Sequence, residues 1–162
     1  MAWTSPKTFV ADSVLTASEL NTHLRDNLKA ATEWTAYTPT WSGTGGTPSV
    51  GNGSLTGRYI IAGDVCHLRI DLAWGSTTTA NSATNWAFSL PSGASPATMR
   101  GLLMWVANDY GTRVYSGISQ WEVGSTTTPW LFRDDSAAGV AATVPFTWTT
   151  SDSLTLSATY EI

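Results

Sequence analysis

The residue pattern of this chain changes near Trp34. Residues 16–34 carry leucines at helical spacing among charged side chains, whereas residues 35–162 are rich in Thr, Ser and Gly and alternate as β-strands do. A helix repeats every 3.6 residues and a strand every two, so one apolar pattern cannot serve both. The sequence therefore predicts two units: an N-terminal arm and helix over residues 1–34, and a β domain over residues 35–162.

The composition indicates a folded chain of low charge. Charged residues are only 12% of the sequence, about half the usual share. Hydrophobic residues reach 42% and aromatic residues 11%, so the chain lacks the poor hydrophobicity and high net charge of disordered segments. The net charge is −4 and the eight basic residues are scattered, so we expect no nucleic-acid partner.

The single cysteine, Cys66, cannot form a disulfide or a zinc site within one chain. The N-terminus has no apolar leader and no run approaches 18 apolar residues, so we expect neither secretion nor membrane insertion. The expectation is a protein made in a cytoplasm and stabilised by packing or by association of copies.

The helix has a clear start. Residues 16–19 (TASE) form a capping box, in which Thr16 and Glu19 each satisfy the other's backbone amide. Leu15 and Leu20 occupy the positions of a hydrophobic staple. Apolar residues then follow at spacings of three or four, at Leu20, Leu24, Leu28, Ala31 and Trp34.

This apolar stripe has two interpretations. It could pack on the chain's own β domain, or it could be shared between copies or docked on a partner. We favour the second, because the stripe is narrow, as in a coiled-coil seam. Asn27 would then set register and copy number, and Trp3 would fit the same interface. The predicted oligomerisation or docking residues are Leu15, Leu20, Leu24, Asn27, Leu28, Ala31 and Trp34.

Residues 35–162 predict eight or nine short strands separated by turns. The clearest is 65–74, where Cys66, Leu68 and Ile70 would face inward and His67 and Arg69 outward. The other predicted strands cover 35–41, 57–61, 85–90, 99–107, 112–122, 130–133, 144–149 and 154–162. No helical crossover separates them, which predicts a mainly β fold: an N-terminal α-helix followed by an antiparallel, jelly-roll-like β-sandwich head with hydroxyl-rich outer faces.

The sequence offers little for catalysis. His67 has no serine in a nucleophile elbow to serve, and no His or Cys pair has metal-ligand spacing. Asp109 and residues 134–135 could hold an ion through loop oxygens, but the loop has no recognised calcium-binding pattern. We expect no enzyme activity, no cofactor and no metal.

Nine tryptophans are the remaining feature. Trp74, Trp86, Trp105 and Trp148 are predicted to pack in the core. Trp41 and Trp130 lie beside loops and are predicted to be exposed, where tryptophan rings stack on sugars or anchor interfaces.

Several segments resemble small virion proteins of tailed bacteriophages, especially those of actinobacteria. They are WTSPKTFV (3–10), LTASELNTHLRDNL (15–28), YTPTW (37–41), GSLTGRY (53–59), WAFSLP (86–91), PFTW (145–148) and TYE (159–161). Such proteins are labelled tail fibre, minor tail or head-decoration proteins. The resemblance implies a trimeric virion component without catalytic residues.

The working hypothesis is a non-enzymatic virion structural protein. Copies would form a homotrimer through the helix, the N-terminal arm would dock on other virion proteins, and the β head would attach to a host cell-surface glycan. A tail-fibre or tail-tip placement is favoured, although the chain has no long shaft. Capsid decoration and a free carbohydrate-binding module remain alternatives, with a jelly-roll hydrolase as a third class.

Overall fold

The computed structural model describes residues 4–97, 99–133 and 136–162. An unbroken helical run over 17–32 precedes the strands. It comprises α1 (Ala17–Leu20), a π-helical turn (Asn21–Asp26) and α2 (Asn27–Thr32). Within the described residues the strands are β1 (Thr35–Tyr37), β2 (Trp41–Thr44), β3 (Ser54–Ala62), β4 (Val65–Ala73), β5 (Thr84–Phe88), β6 (Leu102–Asp109), β7 (Arg113–Gln120), β8 (Phe132–Arg133), β9 (Ser136–Gly139) and β10 (Ser153–Glu161).

Six strands form one antiparallel sheet in the order β1-β3-β4-β10-β6-β7. Two predicted hairpins build it. The β3–β4 hairpin turns at Gly63, with φ of 64°, and the β6–β7 hairpin turns at Gly111, with φ of 77°. Positive φ is what glycine tolerates without steric cost. The C-terminal strand β10 then pairs with both β4 and β6 and joins the two hairpins.

The alternation predicted for β4 and β10 is confirmed. Their inward side chains are buried, whereas His67, Arg69 and Asp71 on β4 and the hydroxyl-rich positions of β10 are exposed. The inward set is Cys66, Leu68, Ile70, Leu72, Leu154, Leu156, Ala158 and Tyr160.

A smaller second layer covers the inner face. The β2–β5 pair and the β8–β9 pair lie here, linked where the Trp86 amide donates to the Val140 carbonyl at 3.1 Å. Trp86, Trp105 and Trp148 are buried as predicted, and Trp74 packs against this core while half-buried. The mainly β prediction, with one N-terminal helix ahead of an antiparallel head, is confirmed.

The exposure predicted for Trp41 is wrong. Its side chain is 8% exposed and belongs to the core. Trp41 opens β2 and pairs with Phe88 on β5, a strand whose side chains at 86–88 are buried. Its ring lies edge-on to Trp86, with centroids 4.7 Å apart. Adjacency to a loop in sequence therefore did not place this tryptophan at the surface.

Two predicted strands also differ from the structure. Segment 35–41 divides into β1 and the start of β2, because Pro39 has no amide to donate. Segment 144–149 is a loop, in which Ala141 and Val144 exchange backbone hydrogen bonds of 3.0 and 3.2 Å. Phe146 and Trp148 are both buried, so their two-residue spacing imitated a strand. Over the described residues, no helix has the length and apolar character needed to cross a bilayer.

Candidate functional site

The start of the helix is fixed by the predicted capping box. The Thr16 amide donates to Glu19 Oε2 at 2.9 Å, and the Glu19 amide donates to Thr16 Oγ1 at 3.2 Å. Lys7 on the N-terminal arm forms an ion pair with Glu19. The hydrogen bonds from Lys7 and Thr16 lower the pKa of Glu19 to about 2. The arm, the cap and the helix are therefore held together by one carboxylate.

The leucines of the helix are not covered by the chain's own sheet. Leu20 is 40% exposed, and Leu24 and Leu28 are each 63% exposed. We call these three residues the leucine stripe. The helix instead buries Asn27 and Ala30, and α2 packs on β3. The interpretation in which the leucine stripe packs on the chain's own β domain is therefore not what this protomer shows.

The flanking residues of the predicted interface differ in exposure. Leu15 is 51% exposed, Ala31 is half-buried and Trp34 is 42% exposed. The Arg69 guanidinium lies 5.4 Å from the centroid of the Trp34 ring, a cation–π geometry that links the segment after the helix to β4. Trp3 lies outside the described residues.

Asn27 does not share the exposure of the leucine stripe. Only 5% exposed, it accepts from the Thr4 amide at 2.9 Å and donates to the Thr4 carbonyl at 2.7 Å. A further hydrogen bond runs to the His23 carbonyl at 3.2 Å. The π-helical turn over residues 21–26 changes the angle between successive side chains around the helix axis. Asn27 is therefore rotated away from the leucines, whereas ideal α-helical spacing would place it beside them. Its amide holds the arm in this protomer, and a role for Asn27 between copies stays a prediction.

A second apolar surface lies on the outer face of β6 and β7. Cross-strand pairing places Met104 opposite Ile118 and Asn108 opposite Val114. The outward positions of the two strands carry no charge, and five are aliphatic and 41–62% exposed. We call them the neutral face: Leu102, Met104, Val106, Asn108, Val114, Ser116, Ile118 and Gln120.

The prediction of hydroxyl-rich outer faces holds for β10 but not for the neutral face. A signal was present, because residues 102–107 (LLMWVA) are continuously apolar. Such a run is typical of a strand that is covered on both faces, whereas here only the inner face is covered by the same protomer. Charge depletion with exposed aliphatic side chains is also the character of an interface core.

Trp130 is exposed as predicted. Its side chain is 50% exposed and lies 6.3 Å from the Phe132 ring between centroids. It lines a shallow groove with polar and apolar walls, formed by Gln120, Glu122, Ser125, Thr128, Pro129, Trp130 and Phe132. Binding of a ligand there stays a prediction.

The other candidate groups have structural roles in the described residues. His67 Nδ1 lies 2.9 Å from Thr159 Oγ1 on the outer face. Asp152 is buried and accepts from the amides of Tyr110 and Thr149 at 3.0 and 2.6 Å, which locks a turn. In the part of the chain described, no three His, Cys, Asp or Glu side chains converge as metal ligands. Residues 134–135, considered for an ion, lie outside the described residues.

Comparison with known proteins gives one informative match. The chain is 33% identical over 114 residues to the Mu-like prophage FluMu defective tail fiber protein of Haemophilus influenzae (strain ATCC 51907 / DSM 11121 / KW20 / Rd). The matched region is similar to a tail fibre protein. It covers 70% of this chain but only 18% of that relative. No family model and no solved structure matches the chain.

Proposed function

We propose that this protein is a non-enzymatic structural component of a bacteriophage tail fibre, in which copies associate through the N-terminal helix. The observation that carries the proposal is the exposed leucine stripe. The helix is held to the β domain by α2, which buries Ala30 and packs on β3, and by Trp34, which lies against Arg69, and it still presents three leucines to solvent. Exposed apolar patches of this kind mark interaction sites.

The tail-fibre placement is supported by the similarity to the Haemophilus influenzae prophage protein, whose name describes a defective tail fiber protein. That similarity favours the virion, and a tail position in it, over capsid decoration. This chain matches only 18% of that relative, so trimer formation, docking of the arm on other virion proteins and host attachment by the β head are parts of the proposal.

The neutral face is the counterpart that we propose for the leucine stripe. The helix packs on β3 near one end of the six-stranded sheet, and the neutral face lies on the two strands at the other end. Both surfaces are short and apolar: the leucines recur at every fourth residue of the helical run, and Leu102, Met104 and Val106 recur at every second residue of β6.

Because the two surfaces are different and lie apart on one protomer, pairing them gives a head-to-tail contact. Such contacts close into rings when the rotation between copies allows it. The trimer hypothesis requires a closed ring of three copies. Residues 1–34 and the neutral face would then form the contacts between copies, and the rest of residues 35–162 would form the displayed head.

Sedimentation of the purified chain tests the proposal. We expect a species of three times 17.3 kDa for the wild type, and dissociation for Leu24→Asp and for Met104→Asp, one on each surface. Asn21→Asp places the same carboxylate on the helical run at an exposed position outside the leucine stripe and should stay trimeric. A monomeric wild type at micromolar concentration would contradict the proposal. So would the finding that Leu24→Asp and Met104→Asp both remain trimeric.

Trp130 favours a second function, attachment to a host-surface glycan. Its half-exposed ring beside hydroxyl and carboxylate groups has the chemistry of a sugar platform. An array of neutral glycans should give signals that Trp130→Ala abolishes and that Trp41→Phe retains, since Trp41 is buried. Signals unchanged by Trp130→Ala would place recognition elsewhere.

A further inference from the structure

We propose that a cleft on the outer face of β3, β4 and β10 binds an acidic saccharide through Arg58 and Arg69. The two arginines lie directly opposite each other in the β3–β4 ladder and both point outward. Like charges in directly opposed positions destabilise a sheet. Within the described residues, neither arginine has a carboxylate within ion-pair distance. A bound anion would relieve this repulsion.

The arginines line this open cleft. It has a volume of about 350 Å³ and is lined by Thr56, Arg58, Arg69, Ile70, Asp71 and Thr155. Thr155 Oγ1 donates to Asp71 Oδ1 at 2.7 Å, which orients that carboxylate at one wall. Trp34 packs beside Arg69 and adds an aromatic surface at the cleft's edge. The lining thus combines planar cations, hydroxyls, one carboxylate and an aromatic ring.

The charge balance selects the class of ligand. Two guanidinium groups and the Asp71 carboxylate leave a net charge of +1, which matches a ligand with one negative charge. Guanidinium groups bind a carboxylate through paired hydrogen bonds, and Asp71 can accept hydrogen bonds from sugar hydroxyls while it repels a second negative charge. A sugar that carries one carboxylate fits this arrangement better than a phosphate dianion.

The cleft is made by three strands of one protomer and lies outside the leucine stripe and the neutral face. Binding therefore does not depend on association of copies. The site is also distinct from the Trp130 groove, with which it shares no lining residue.

Isothermal titration calorimetry tests the site. The ligands are trisaccharides that contain glucuronate, galacturonate or sialate. Each has a matched control in its methyl ester, which removes the charge and keeps the sugar. We expect saturable binding of at least one acid, little binding of its ester, and weaker binding at high salt. Arg58→Gln should weaken binding roughly ten- to hundredfold, and Arg58→Lys by less, since the charge remains without the paired donors.

Arg113→Gln is the control variant, because Arg113 is exposed on β7, away from the cleft, and lies 5.1 Å from the Tyr115 ring. It should bind as the wild type does. The proposal is overturned if none of the three acids binds, if the esters bind equally well, if inorganic phosphate competes as strongly as the saccharide, or if folded Arg58→Gln retains wild-type affinity. Sedimentation of Arg58→Gln should be unchanged, so failure here is separate from failure of the association proposal.

Discussion

The side-chain amide of Asn27 hydrogen-bonds both backbone groups of Thr4, 23 residues earlier in the chain. The carboxamide acts here as a peptide group would, accepting at 2.9 Å and donating at 2.7 Å. The arm is held at a second point by Lys7 and Glu19, and at a third where His23 Nδ1 lies 3.1 Å from the Ser5 carbonyl. The arm and helix therefore form one unit.

We predict that Asn27→Ala releases the arm. The buried amide forms three hydrogen bonds, and loss of a buried partner costs about 1–3 kcal/mol. Trypsin should cleave after Lys7 at least several-fold faster than in the wild type, and the Thr4 amide should lose protection against hydrogen exchange. Asn21→Ala changes an exposed asparagine on the same helix and should do neither. Equal cleavage of both variants would show that Asn27 does not hold the arm.

The Glu19 contact predicts a pH dependence at the start of the helix. The pKa of Glu19 falls from 4.5 to about 2 in the folded chain, so its contribution to folding is present above pH 4.5 and is lost as the pH falls toward 2. Glu19→Gln should remove this component and flatten the pH profile of arm protection between those limits. High salt should reduce it, because the pair is at the surface. A proton-titration midpoint for Glu19 near 4.5 would contradict the prediction.

The sequence was most informative where one pattern governs both geometry and burial. β4 and β10 alternate without interruption, and the turns at Gly63 and Gly111 allow the positive φ that closes each hairpin. Asn27 could not be placed because the π-helical turn changes the angular spacing ahead of it. Trp41 could not be placed because its burial depends on β5, which lies more than 40 residues away in the chain.

The sequence predicts the outer face of the sheet only in part, for a similar reason. The apolar run in β6 predicts that both faces of the strand are covered, but the sequence of one chain does not identify what covers the second face. The opposition of Arg58 and Arg69 is a consequence of register, which depends on the length of the β3–β4 turn. Only the folded structure shows which residues lie opposite each other across two strands.

Trp41 and Trp86 should respond differently to the same substitution. The Trp41 indole Nε1 is buried with no hydrogen-bond partner in the described residues, whereas Trp86 Nε1 donates to the Ala83 carbonyl at 3.0 Å. Trp41→Phe removes an unsatisfied donor. This gain in stability should partly offset the packing lost with the smaller ring. Trp86→Phe leaves the Ala83 carbonyl unpaired, which adds about 1–3 kcal/mol to the cost.

Urea denaturation of the two variants measures the difference directly. We expect the free energy of unfolding to fall more for Trp86→Phe than for Trp41→Phe. Both variants lose the same atoms, so the transfer and cavity contributions are matched as closely as the chain allows. A larger loss for Trp41→Phe would mean that its edge-on packing against Trp86 outweighs the unsatisfied donor.

Gly117 is a buried position on β7 where the core has no room for a side chain. It pairs with Trp105 across β6 and β7, and a Cβ there would lie 2.4 Å from the Phe132 carbonyl oxygen and 2.7 Å from the Trp105 ring. Trp105 Nε1 donates to that same oxygen at 3.1 Å. Gly117→Ala must therefore displace β8 or the indole, and overpacking of this kind costs about 1–3 kcal/mol. Ser116→Ala, on the exposed face of the same strand, should change stability by no more than about 0.5 kcal/mol. If Gly117→Ala unfolds at the wild-type urea midpoint, β8 is not fixed against Trp105, and the inner face of β7 has room that this packing excludes.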